Sequence, residues 1–274
     1  MRTATARDGM EIAYHVFGRA QGEPLLMVQG LGADSRGWAL QRVPFGRRFR
    51  CIAVDNRGVG GSAGAPRPYS LVEMAEDAVA VLDAEGIESA HLMGASMGGA
   101  IAQFLGVEHS ERVRSLVLAC TACKHHDWRR ELLQEWADAV QERGMSALAS
   151  DGLHWLVGPR LRRRFGGWLN LMARVLLQAS PAAFVGQVAA ILDAPDDVRF
   201  ELCRVDVPAL VITGSQDLLT PMGDAEELTE LIPNATLFEL TGAGHALMVE
   251  APNAYNAAVL GFLKEQTAPT QLAS

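Results

Sequence analysis

A doubly wound, mostly parallel α/β sheet carrying an inserted helical segment is the fold class this sequence predicts. Three observations carry the reading. Short, nearly continuous apolar runs recur along the chain, as strands covered on both faces require. Longer stretches with apolar residues at three- and four-residue spacing separate them, the signature of helices laid on a sheet. The alternation then lapses for about 80 residues, between Thr121 and Val205, where only helical patterns occur. At 274 residues the chain is long enough to bury a core of this kind.

The elements follow in order. Residues 3–17 alternate polar and apolar around Asp8-Gly9 and predict an antiparallel hairpin. The runs "PLLMVQG", "CIAVDNRG", "AHLMGAS", "SLVLAC", "PALVITGSQD" and "ATLFEL" predict the strands. "SLVEMAEDAVAVLDAEG" predicts a helix that opens on Ser70 and Glu73 as a capping box and stops at Gly86. "DAEELTELIPN", stopped by Pro233, and "APNAYNAAVLGFLKE" predict two more. In the lapse, "RRELLQEWADAVQERG" and "GGWLNLMARVLLQASPAAFVGQVAAIL" are amphipathic, and the segment holds Trp128, Trp136, Trp155 and Trp168. The expected organisation is a core of residues 1–120 and 206–274 with a helical cap, 121–205, between them.

Composition excludes several classes. A net charge of −8 disfavours a nucleic-acid partner, since phosphate binding needs a basic face. No run approaches the roughly 18 apolar residues of a membrane span, and the N-terminal stretch has no export-type apolar core, so the expectation is a cytoplasmic protein with no membrane partner. Four scattered cysteines do not make a disulfide scaffold. Cys120 and Cys123 form a C-x-x-C, but no second pair completes a zinc-type site, so ordinary thiols, no metal and no cofactor are expected. Nothing in the sequence fixes an oligomeric state.

The densest chemical signal is "HLMGASMGGAIAQ". Ser96 stands where a strand meets a helix, inside G-x-S-x-G. A sharp strand-to-helix turn strains its central residue and crowds the residues two positions away, so only tiny side chains fit there, as Gly94 and Gly98 do. Such a turn would hold the Ser96 hydroxyl out at the carboxyl edge of the sheet, where doubly wound sheets bind ligands. A serine hydroxyl needs a base, and the base needs a group to orient it. Among seven histidines, His245 in "LTGAGHALMVEAP" lies between the last strand and the last helix, at the same edge. Asp217 in "VITGSQDLLTP" follows a buried strand and precedes Pro221. All three candidates fall just after strands, in the order serine, aspartate, histidine.

With "DNRGVGGS" added, these motifs make the chain resemble the α/β-hydrolase superfamily over about residues 10–265, in particular its small esterase and lactonase branch, which includes 3-oxoadipate enol-lactonases. The resemblance implies the α/β-hydrolase fold, with Ser96 as nucleophile, His245 as base and Asp217 as acid. It places the oxyanion hole at the backbone amides of Met97 and of Leu31 in "VQGLGADS". Many members carry His-Gly in that loop where this chain has Gln29-Gly30, which makes Gln29 and Gly30 candidate substrate contacts. It makes Asp55 and Arg57 structural; their loop also lacks the Lys and Ser/Thr of a phosphate loop. Members that cleave epoxides or carbon–halogen bonds have Asp in place of Ser96.

The function so implied is hydrolysis of a carboxylic ester or lactone of a small, apolar molecule. Carbon–carbon bond hydrolysis and cofactor-free haloperoxidase or perhydrolase activity share the three residues, and a slow-turnover ligand receptor shares the fold. Specificity is expected from the cap: its tryptophans, Leu153, Leu156, Met172 and Phe184 suggest an apolar or aromatic pocket, with Trp128 and Trp155 as substrate contacts. The run Arg160, Arg162, Arg163 and Arg164 reads as a solvated helix face, with attraction of an anionic substrate the alternative.

Overall fold

A computed structural model describes residues 1–62, 64, 68–176, 179–195 and 198–267, without the side chains of 149–151 and 168–176, so Trp168 and Met172 lie outside the described side chains. Eight strands form one sheet: β1 (Arg2–Thr5), β2 (Glu11–Gly18), β3 (Pro24–Val28), β4 (Arg50–Val54), β5 (Ala90–Ala95), β6 (Val113–Ala119), β7 (Ala209–Gly214) and β8 (Ala235–Leu240). Their order is β1-β2-β4-β3-β5-β6-β7-β8. The β1/β2 hairpin pairs antiparallel, Arg2 opposite Tyr14, and β2 is antiparallel to β4. From β4 across to β8 every pairing is parallel. Each predicted run is a strand.

The helices are α1 (Arg42–Gly46), α2 (Leu71–Ala84), α3 (Met97–Glu108), α4 (Asp127–Arg143), α5 (Ser146–Asp151), α6 (Leu153–Leu156), α7 (Pro159–Leu176), α8 (Pro181–Leu192), α9 (Val198–Glu201), α10 (Met222–Leu231), α11 (Leu247–Glu250) and α12 (Pro252–Thr267). The capping box of α2 forms as read: the Ser70 hydroxyl accepts from the Glu73 amide and the Glu73 carboxylate accepts from the Ser70 amide. Among the described residues no helix is long and apolar enough to cross a membrane.

Alternate side chains along the strands enter two separate layers. Leu26, Ile52, Leu92, Leu116 and Val211 pack with α2 and α3 on one face. Leu25, Cys51, Met93, Val117 and Ile212 pack on Phe45 of α1 and on Tyr255, Val259 and Leu263 of α12 on the other. That is why the strands read as unbroken apolar runs. β8 departs from the expectation of cover on both faces: Thr236 to Glu239 are exposed, with Phe238 at 41%, because β8 is the last strand of the sheet and has a neighbour on one side only. Between β6 and β7 the described regular elements are helical, α4 to α9 among them, joined by short loops. These helices lie over the carboxyl ends of the strands, where side chains from both regions enclose one cavity.

Candidate active site

Ser96 occupies the turn between β5 and α3 with φ 53° and ψ −119°, a left-handed conformation that a residue with a Cβ adopts only under constraint. The constraint is the packing of neighbouring backbone. A Cβ on Gly94 would lie 2.2 Å from the Gly98 carbonyl oxygen, and one on Gly98 would lie 2.2 Å from that of Val28. The Ser96 amide donates to the Ala119 carbonyl (2.9 Å), and the Thr121 hydroxyl donates to the Ser96 carbonyl (2.8 Å). The side chain, partly exposed, is thereby aimed away from the sheet.

His245 follows β8 and Asp217 follows β7, so both return to this edge. His245 Nε2 lies 3.0 Å from Ser96 Oγ, and Nδ1 lies 2.9 Å from Asp217 Oδ2. Asp217 is 5% exposed and His245 6%. Burial works against ionising Asp217, but the facing His245, the Leu219 and Thr220 amides on Oδ1 (2.9 Å each) and the Thr220 hydroxyl on Oδ2 (2.8 Å) outweigh it and hold the carboxyl below its usual range. An ionised carboxylate only accepts, so Nδ1 carries the imidazole proton and Nε2 is left as the acceptor for the Ser96 hydroxyl. This arrangement can draw the proton from a serine as its oxygen attacks an electrophile.

Leu31 and Met97 flank the hydroxyl. The loop after β3 runs so close that a Cβ on Gly30 would sit 3.0 Å from Ser96 Cβ. Neither the Leu31 nor the Met97 amide donates to another of the described residues, whereas the adjacent Gly30 and Gly32 amides are taken by the side chains of Gln29 (3.2 Å) and Gln187 (2.7 Å). Gln29 therefore bonds within its own loop, and its carbonyl accepts from Asn56 (2.9 Å). Asp55 accepts from the Ser35 and Gly61 amides (2.8 Å each), and Arg57 is buried against Asp77 and Asp8, which places both in scaffolding.

The cavity over Ser96 has a volume of about 240 Å³. Gln29, Gly30, Leu31, Met97 and His245 line it. From the helices come Leu133 and Trp136 of α4, Leu153 and Leu156 of α6, and Phe184 of α8. Trp128 and Trp155 do not line it, which corrects the expectation from sequence. They stack on each other, ring centres 5.9 Å apart, and Trp128 is 38% exposed. The reason is helical rotation: Arg129, Leu133 and Trp136 share one face of α4 at i, i+4 and i+7, and Trp128 points about 100° away. Likewise Leu153 and Leu156 share a face that Trp155 does not. Among the lining residues Arg129 is cationic, and it is tied to the Leu219 carbonyl (2.8 Å) and the Asp224 carboxylate. Arg160, Arg163 and Arg164 are exposed and Arg162 bonds to His154 (2.8 Å), all outside the lining. Cys120 and Cys123 are buried free thiols. Burial pushes Cys123 up to about 12 and Cys120 well above its usual value, so neither has thiolate character.

Glu250 was not singled out from sequence. Its carboxylate accepts from the Gly158 amide (3.0 Å) and the Gly244 amide (3.0 Å), and the Ala246 amide donates to the Leu156 carbonyl (2.8 Å). The corner between α6 and α7 is thus fastened to the loop of His245. Thr220 had a signal, the "DLLTP" turn, whose hydroxyl can reach back three residues.

A Cβ-intolerant elbow, a relay from three strand ends and a helical roof invite comparison with known proteins. The 3-oxoadipate enol-lactonase 2 of Acinetobacter baylyi is 32% identical over 262 residues, 96% of each chain. A protein of Caulobacter strain K31 whose name assigns it to carbamate hydrolysis is 28% identical, over 95% of this chain and 98% of its own. The crystal structure of the enol-lactonase from Burkholderia xenovorans LB400 superposes with a TM-score of 0.88 at 28% identity, covering 96% of this chain and all of the other. Residues 23–252 match the family model for the alpha/beta hydrolase fold, which takes in the elbow, the relay and everything between them, and the chain belongs to that family.

Proposed function

We propose that this chain is a serine hydrolase that cleaves a carboxylic ester or lactone of a small, apolar molecule, with residues 121–205 acting as a cap over Ser96. The observation that carries the reading is the hydrogen-bonded series from Asp217 through His245 to the Ser96 hydroxyl, opening into an apolar cavity. Ser96 Oγ attacks the carbonyl carbon as its proton passes to His245 Nε2, and Asp217 steadies the imidazolium. The oxyanion receives the Met97 and Leu31 amides, each such donor being worth about a hundred- to a thousandfold in rate. Collapse expels the alkoxide, which takes the proton from Nε2. Water then attacks the acyl-enzyme, again giving its proton to Nε2, and the second collapse releases the acid and returns the proton to Ser96. The names of the lactonase relatives agree with this substrate class.

Ser96→Ala is expected to lower hydrolysis of short-acyl p-nitrophenyl esters by at least about 10⁴-fold with an unchanged melting temperature, and to abolish labelling by a fluorophosphonate. A variant that keeps its rate removes the proposal. The Caulobacter relative favours carbamates as a second reading. Rates for an ester and a carbamate of one alcohol separate the two, and product analysis separates both from carbon–carbon cleavage.

A further inference from the structure

Gln187 on α8 is 0% exposed and lies among Phe184, Val188 and Ile191, an apolar setting in which an amide is tolerated only if its hydrogen bonds are made. Both sides of the amide are used. Oε1 accepts from the Gly32 amide at 2.7 Å, and Nε2 donates to the Arg57 carbonyl at 2.8 Å. These partners belong to two different loops of the sheet edge, one after β3 and one after β4. The loop after β3 is already held by the core at both ends, at the Gln29 carbonyl by Asn56 and at the Ser35 amide by Asp55. Its middle, the peptide directly after Leu31, is held by Gln187 from the inserted helices.

We propose that Gln187 is a positioning residue for the oxyanion site: by fixing the Leu31–Gly32 peptide it aims the Leu31 amide at the Ser96 side of the cavity and makes the seating of α8 a condition for full turnover. The inference rests on the ester-hydrolysis reading. Gln187 is absent from the cavity wall, so it acts through the loop and not by touching substrate.

Gln187→Met keeps the volume and removes both hydrogen bonds, whereas Gln187→Glu keeps an acceptor for Gly32. With p-nitrophenyl butyrate, and rates expressed per active site titrated with a fluorophosphonate, the methionine variant should lose about 10- to 100-fold in kcat, the scale of a small misplacement at the reacting centre, with KM within about twofold. The inhibition constant of an alkylboronic acid, whose adduct with Ser96 mimics the tetrahedral intermediate, should rise by the same factor. The glutamate variant, which restores the Gly32 bond but sets an oxygen against the Arg57 carbonyl, should recover part of both. If the methionine variant does not fold, Gln187→Asn, one methylene too short to span the two loops, is measured in its place and should show the same losses. A variant with a lowered melting temperature but unaltered kcat per titrated site and unaltered boronate affinity overturns the role of Gln187 and leaves the hydrolase reading standing. A wild-type protein that neither hydrolyses esters nor binds the boronate removes both.

Discussion

At the carboxyl edge of the sheet, side chains are placed by backbone pressed on backbone; in the helices above it, they are placed by rotation about a helix axis. Ser96 is aimed by contacts that leave no room for a methyl group at Gly94 or Gly98. Trp136 and Trp128 lie eight residues apart on one helix, yet one lines the cavity and the other faces outward. A turn of the first kind tolerates almost no change, whereas a helix of the second kind can change its contribution to the cavity by substitution alone. The same contrast appears in where hydrogen bonds cross between the regions: Gln187 and Glu250 each hold a loop of the sheet edge from, or against, the inserted helices.

One substitution made in both regions tests this most severely. Gly98→Ala forces a Cβ against the Val28 carbonyl and should cost at least about 3 kcal/mol in urea unfolding, with loss of soluble protein. Gly167→Ala, next to the break that Gly166 makes in α7 and with open space for a Cβ, should stay within about 0.5 kcal/mol of the parent. Equal effects at the two sites would collapse the distinction.

The next largest effect belongs to the buried sheet. His91 on β5 is held by the Ser115 hydroxyl at 2.8 Å, and burial, aided by Arg114, lowers it to about 4. Between its ordinary value of about 6.5 and about 4, the unfolded chain binds a proton there that the folded chain does not. Stability therefore rises with pH across that window: the contribution is complete above about pH 6.5 and is lost as pH falls toward 4. About 3 kcal/mol of the pH dependence of unfolding should come from this residue, and His91→Gln should flatten the profile in chemical denaturation by that amount.

Smallest is the contrast inside α4. Trp136→Phe should shift kcat/KM by about tenfold in favour of longer acyl chains, the scale of one or two methylenes in an apolar pocket. Trp128→Ala should leave chain-length preference within about twofold. A reversed result in acyl-series kinetics would show that the outward tryptophan, not the lining one, meets the substrate.

These two modes also explain how far the sequence could be read. Glycine at 94 and 98 fits a tight turn or a glycine-rich helix start capped by serine; the strand before Ser96 and the helix after it are what made the turn legible. Asp217 and His245 followed from strand ends sharing an edge. The face a helix turns inward depends on how it is seated, and seating is a property of packing; hence Trp128 and Trp155 were expected in the cavity, and Leu133 was not. Gln187 carries no local signal, because an amide on an apolar helix becomes informative only once its two partner loops are known. The exposure of β8 is not legible in the sequence for a similar reason. "ATLFEL" is apolar enough for an interior strand, and its place at the end of the order is set by topology.

The excursion between β6 and β7 also governs how the molecule comes into being. About 90 residues separate the two strands, and the Ser96–His245 hydrogen bond closes over 149 residues of chain. Contacts so distant repay their loop-closure entropy late, which favours slow assembly of the last two strands onto a half already formed. During synthesis from the N-terminus, the Ser96 turn leaves the ribosome well before the His245 imidazole that it meets in the folded chain. On the hydrolase reading proposed above, a polypeptide stopped between Thr121 and His245 carries the serine of the turn without its base, and is expected to be chemically idle.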